Sequence, residues 1–183
     1  MEQVKVIVAL IIAILLQWSL RNVAEPLSYI DFPLIIVVYA SLQRNSIRAI
    51  LFGTIAGIAI DSLSGGLLGA NGFSKTLVAY IVSEIARRVY LDNLLLRIPV
   101  IAGACLLNEF VYFGMHRLLG QHLNAPLVET IAYTLVGTTI TGTITFLILE
   151  GIFSENSRVK RRDFFTTRRQ TRRRNPIRLG RRG

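Results

Sequence analysis

The chain has 183 residues, 52% of them hydrophobic, yet it carries a formal net charge of +10, a pairing that soluble domains seldom show. The two facts separate once the charge is located: residues 158–183 hold 12 of the 21 Lys and Arg against one acid, Asp163, whereas residues 1–157 carry 9 bases and 10 acids. What precedes the tail has a membrane composition, and six spans of about 20 residues each would use about 120 residues, leaving no room for a soluble catalytic domain. The expected architecture is all-α: a polytopic membrane domain of six transmembrane helices at 1–155, then a cytoplasmic, arginine-rich, disordered tail at 156–183.

The first predicted span covers residues 4–20 and closes on Trp18, whose amphipathic ring suits the headgroup region. Lys5 followed by an apolar run imitates a secretion signal, but Gln17, Trp18, Leu20 and Arg21 stand where small cleavage-site residues belong, so a retained span is expected. The second is short: its clean run, 32–42, has 11 residues, about 16 Å of helix against a hydrocarbon core of about 30 Å. Starting it at Ser28 makes Asp31 a capping-box partner and puts Pro33 just beyond the first turn, which predicts a kinked or tilted start. The third span, 47–63, contains Gly53 and Gly57 four apart, a face that lets two helix backbones approach closely.

Residues 61–72 then read as a structured turn, in which Asp61, Ser64, Gly65, Gly66, Gly69 and Asn71 are the candidate site. Its glycines permit positive φ and its polar side chains can brace the backbone or meet a partner's segment. A plain connection between two spans is the alternative meaning. The fourth span, 73–89, begins with Lys75 positioned to snorkel outward and ends with Glu84 and Arg88 as an i,i+4 pair. Spans five and six, 94–119 and 126–149, form a helix hairpin about a short polar turn.

Span five carries Asn108 and Glu109 near its centre, where an ionisable group costs about 2.5 to 3.5 kcal/mol on insertion scales. Ala102, Cys105, Glu109, Tyr112 and His116 share one helix face, and Thr130, Thr134, Thr138, Thr141 and Thr145 share a face of span six, with Gly137 and Gly142 nearby. The simplest expectation is that the two stripes pack together, with threonine hydroxyls bonding to a protonated Glu109. A proton or substrate path through Glu109, Tyr112 and His116 is the alternative. The lone Cys105 permits no internal disulfide or thiolate cluster and reads as a small packed hydrophobe. His116 and His122 have no carboxylate at helical spacing to complete a metal site, and no paired acids or activated nucleophile stand out, so neither catalysis nor a cofactor is expected.

With six spans, one face takes 18 bases and the other 3, or 6 against 3 without the tail, which predicts both termini in the cytoplasm and the 61–72 turn outside. The tail pairs or triplets its arginines at Arg161, Arg162, Arg168, Arg169, Arg172, Arg173 and Arg174. Beside a membrane this pattern favours anionic lipid, then an acidic cytoplasmic protein, with nucleic acid the weakest choice.

The pattern Asp61-x-x-Ser64-Gly65-Gly66-x-Leu68-Gly69-x-Asn71-Gly72-Phe73, followed by Tyr80, resembles the bacterial rod shape-determining MreD family. Asp31-Phe32-Pro33 leading into residues 34–39, the basic turn at Arg44 and the glycine-bearing third span agree with it, whereas the arginine tail departs from it. The resemblance implies a multi-pass inner-membrane scaffold of the cell-elongation machinery, working with the bitopic protein MreC, the MreB filament and a peptidoglycan polymerase pair, without catalysis. The family's helical layout is similar to the substrate-capture (S) components of energy-coupling-factor vitamin transporters, which supply the alternative function. Ala9 and Ala13 of span one would suit a coupling face of that kind.

Overall fold

The computed structural model describes residues 2–21, 29–89, 94–120 and 127–171, all of whose regular structure is helical. In chain order the helices are α1 (Glu2–Arg21), α2 (Phe32–Ser41), α3 (Ser46–Ser64), α4 (Ala70–Arg88), α5 (Leu94–Leu118) and α6 (Leu127–Thr171). Among the described residues four segments are long and apolar enough to cross a membrane: Gln3–Leu20, Ser46–Ser64, Leu96–Leu118 and Val128–Leu149. The chain is thus a polytopic helical membrane protein, although α2 is too short for that test and α4 too polar.

Helix α2 is the central post. Eight of its ten residues are buried, on every side of the helix, as expected of a helix that is apolar all round. Its Ile and Val residues are mediocre helix formers, so packing holds the helix rather than propensity. Leu34, Ile35 and Val38 meet Val78 and Val82 of α4, Ile101, Ala104 and Cys105 of α5, and Phe146 of α6 in one cluster. Cys105 is fully buried there. The ring of Phe146 meets that of Tyr39 edge-on at 5.3 Å between centroids.

The start of α2 differs from the expectation. The helix begins at Phe32, with Asp31 as its N-cap accepting from the Leu34 amide at 2.9 Å, so Asp31 is the cap itself rather than the third residue after one. Pro33 then falls in the first turn, where its missing N–H is no loss. Ser28 lies outside the described residues.

Helices α3 and α4 form the tightest pair. A Cβ on Gly53 would lie 2.7 Å from the Lys75 carbonyl oxygen, and one on Gly57 would collide with the Asn71 carbonyl. Hydroxyls tie the same seam, Thr54 to Thr76 at 2.8 Å and Ser46 to Ser83 at 3.0 Å. The turn between them is shorter than the sequence suggests. Asp61 and Ser64 still belong to α3 and Asn71 to α4, leaving residues 65–69, with Gly65 (φ 63°) and Gly69 (φ 98°) in the left-handed region that ends one helix and starts the next. At the far end of α4, Glu84 accepts from Arg88 at 3.2 Å, as the i,i+4 spacing anticipates.

By contact density the chain forms two compact units, Met1–Phe146 and Leu147–Gly183. In the second, the backbone of α6 stays helical to Thr171, through a stretch that the sequence reading leaves disordered. The cause is local, since residues 152–171 contain neither Gly nor Pro and are rich in Arg and Lys, which are good helix formers. The side chains of Arg161, Arg162, Arg168 and Arg169, and the whole of Arg172, Arg173 and Arg174, lie outside the described residues.

The α3–α4 seam makes a direct expectation. Gly57→Ala lowers the thermal midpoint of the detergent-solubilised protein, by the equivalent of about 1 to 3 kcal/mol for overpacking. Gly103→Ala, where a Cβ meets nothing within 4 Å, leaves the midpoint unchanged or raises it slightly.

Candidate polar cavity at one end of the bundle

Two hydrogen-bonded centres build the end of the bundle that carries the α3–α4 turn. The first is Asp61, 2% exposed. Its Oδ2 accepts from the backbone amides of Gly69 at 2.8 Å and Gly72 at 3.1 Å, and its Oδ1 from the amide of Asn71 at 3.2 Å and from that residue's Nδ2 at 2.9 Å. The N-cap of α4 is Gly69, which has no side chain to offer, so a carboxylate from α3 satisfies the first amides of α4. A negative charge at a helix N-terminus is also favoured by the helix dipole. Gly65 and Gly69 supply the backbone path. Gly66 stands differently: its φ is ordinary, and a Cβ there would meet only the Ser64 Oγ at 3.8 Å.

The second centre is Asp31. Its Oδ2 forms an ion pair with Lys75 Nζ, its Oδ1 caps α2, and its backbone amide donates to Thr138 Oγ1 at 3.1 Å. Gln17 of α1 accepts from the next amide, Phe32, at 3.0 Å. Side chains from α1, α4 and α6 therefore converge on the start of α2. Lys75 does not snorkel outward: it is 1% exposed and heads the fully buried side chains ranked by size. Snorkelling spares a lysine with no partner, whereas here the Asp31 carboxylate is within reach. The available signal was an acid and a base placed on the same side of the membrane.

The α5 stripe is only partly as expected. Asn108 is buried, accepts from the Ser74 hydroxyl at 3.0 Å and donates to Glu109 at 3.4 Å. Among the described residues no threonine hydroxyl reaches Glu109. Thr138 serves Asp31, while Thr143 and Thr145 return their hydroxyls to carbonyls one turn back in α6, Thr145 to that of Thr141. Threonine in a helix can always make that bond, which is why the stripe did not have to pair across. Gly142 and Gly137 do allow close approach, to Ile101 and Ile35 and to Ile30. His116 is buried, with Nδ1 3.0 Å from the Tyr112 carbonyl oxygen and its ring 4.3 Å from that of Tyr112.

Between the two centres lies a cavity of about 290 Å³. The ends of α1 (Gln17, Trp18) and α3 (Ile60, Leu63, Ser64), the approach to α2 (Tyr29, Ile30, Asp31) and the start of α4 (Asn71) line it. Asn108, Glu109 and Tyr112 of α5 and Thr130 and Thr134 of α6 complete the wall. The α5 and α6 stripes thus share a cavity instead of a seam, and His116, Thr138 and Thr141 stand outside its lining. Among the described residues no group of three or more His, Cys, Asp or Glu could hold a metal ion.

The family described as rod shape-determining protein MreD matches residues 2–152 of the chain. No curated protein and no solved structure matches it.

The buried ion pair predicts non-additive substitutions. Asp31→Asn and Lys75→Met each strand a charge and are expected to destabilise by about 3 to 5 kcal/mol. The double variant keeps a capping oxygen and removes both charges, so it recovers at least half of that loss. Simple additivity in thermal or denaturant unfolding would show that the two groups do not act as a pair.

Proposed function

The chain belongs to the rod shape-determining MreD family, and from that premise we propose that it is a non-catalytic scaffold of the cell-elongation machinery in the bacterial inner membrane. A role in rod shape and a membrane location follow from the family and the apolar helices. The finer reading is that the cavity end of the bundle faces outward and receives a membrane-proximal segment of an MreC-like bitopic protein. Through that partner the scaffold reaches a peptidoglycan polymerase pair and the MreB filament. One observation supports this reading: a polar cavity, lined by residues of five helices and of the approach to α2, and braced at Asp31 and the buried Asp61, lies at the end that the excess of basic residues on the other face would put outside. The alternative is a vitamin-capture subunit, and the cavity is small for that, at the lower limit of the roughly 300 to 1,000 Å³ of small-molecule sites.

Thr130→Trp places an indole in the cavity from α6 while leaving the residues of both carboxylate centres unsubstituted. The variant is expected to accumulate normally but to lose co-purification of MreC from gently solubilised membranes, and cells that depend on it should become round. Intact association, together with tight vitamin binding by the purified wild-type protein, would replace the scaffold with the transporter subunit.

Orientation and tail have their own tests. A cysteine at Leu68, which is 74% exposed, should react with an impermeant thiol reagent in intact spheroplasts, and one at Gln43 should not; the reverse pattern overturns the orientation. The tail is proposed to lie on anionic lipid, so a peptide of residues 158–183 should bind anionic vesicles and detach as salt rises. Equal binding to neutral vesicles refutes that contact.

A further inference from the structure

The cavity has an electrical imbalance that docking alone does not use. Asp31 and Glu109 line it, and among the described residues no Lys, Arg or His does. Asp31 is already matched by Lys75. Among the described residues Glu109 has no ion pair: Lys75 attracts it without reaching ion-pair distance, and its hydrogen bond comes from the Asn108 amide at 3.4 Å, a long contact from a neutral group whose own oxygen is engaged by Ser74. A carboxylate held within a membrane domain is stabilised most by a cation that also donates hydrogen bonds. The rest of the lining suits such a group, because it includes Trp18, Tyr29 and Tyr112 and aromatic side chains attract ammonium and guanidinium ions. An anionic ligand would instead meet two acids. At about 290 Å³ the space admits one such group with its stem, since whole drug-sized ligands occupy cavities of roughly 300 to 1,000 Å³.

We propose that the cavity is a recognition site for a single alkylammonium or guanidinium group, which pairs with Glu109 in the space that Trp18 and Tyr112 help to line. The proposal rests on the docking reading for one source of that group, a Lys or Arg side chain on the partner's segment; a free organic amine is the other source. The recognition chemistry is the same for both.

Trp18 is the chain's only tryptophan, so its emission reports on the cavity without a label. The full chain in neutral-lipid nanodiscs is titrated with butylguanidine and with its uncharged counterpart butylurea, and binding is measured in parallel by calorimetry. Butylguanidine should bind saturably and butylurea should not, while Glu109→Gln should weaken butylguanidine at least tenfold with an unchanged thermal midpoint. Glu84→Gln, on the surface among Arg87 and Arg88, should bind as the wild type does. Equal responses to the two probes, undiminished binding by Glu109→Gln, or no saturable binding by either method overturns the proposal. Co-purification separates the sources. Loss of MreC from Glu109→Gln assigns the cation to the partner, and its retention alongside wild-type butylguanidine binding assigns it to a free amine. If MreC co-purifies with both proteins while butylguanidine binds neither, the cation site fails and docking stands; if butylguanidine binds and Thr130→Trp retains MreC, docking fails and the cation site stands.

Discussion

A helix of ten residues is about 15 Å long, half the thickness of a hydrocarbon core, so one end of α2 must fall at membrane depth. The first amides of a helix have no partner within it, and lipid offers none. Most of the polar architecture answers that requirement. Asp31 caps the Leu34 amide, Gln17 takes that of Phe32, and Lys75 neutralises the cap. Thr138 accepts from the Asp31 amide just before the helix. Because each acceptor or charge comes from a different element, satisfying the short helix also fixes α1, α4 and α6 around it.

Apolar burial could not do this unaided. Lipid tails are as apolar as leucine, so membrane helices associate through close packing and interhelical hydrogen bonds. The chain uses both along α3 and α4: glycines bring backbone against backbone, and Asp61 crosses from one helix to satisfy the start of the other. Both carboxylate centres act on α4, Asp61 on its first amides and Asp31 on Lys75 one turn later. The cavity between them is thereby walled by elements that are held independently of any ligand.

The helix number among the described residues, the glycine face of α3 and a bracing polar group at Asp61 were legible in the sequence, because each rests on local composition or spacing. The role of Asp61 was only half legible. A carboxylate four residues before a glycine pair looks like part of a turn, and its position inside α3, reaching eight to eleven residues ahead, is a tertiary fact. Lys75 was misplaced for the same reason: a base at the start of a span has two solutions, solvent or a buried acid, and the choice depends on where α2 packs. The threonine stripe was recognised, but its partner was not, since a helical threonine can bond to its own backbone and so leaves no pairing signal. The cavity had no signature at all. Its lining comes from five helices and the segment before α2, with the nearest contributors in sequence often more than a dozen residues apart.

The polarity of α4 bears on how the protein is made. Among its 19 residues are Asn71, Lys75, Glu84, Arg87 and Arg88, and on its own such a segment partitions poorly from an insertion channel into lipid. Its lysine is compensated by a residue of α2 and its first amides by a residue of α3, both synthesised earlier. The polar groups of α4 are therefore compensated only once it packs against α2 and α3, so its stability in lipid depends on residues made before it.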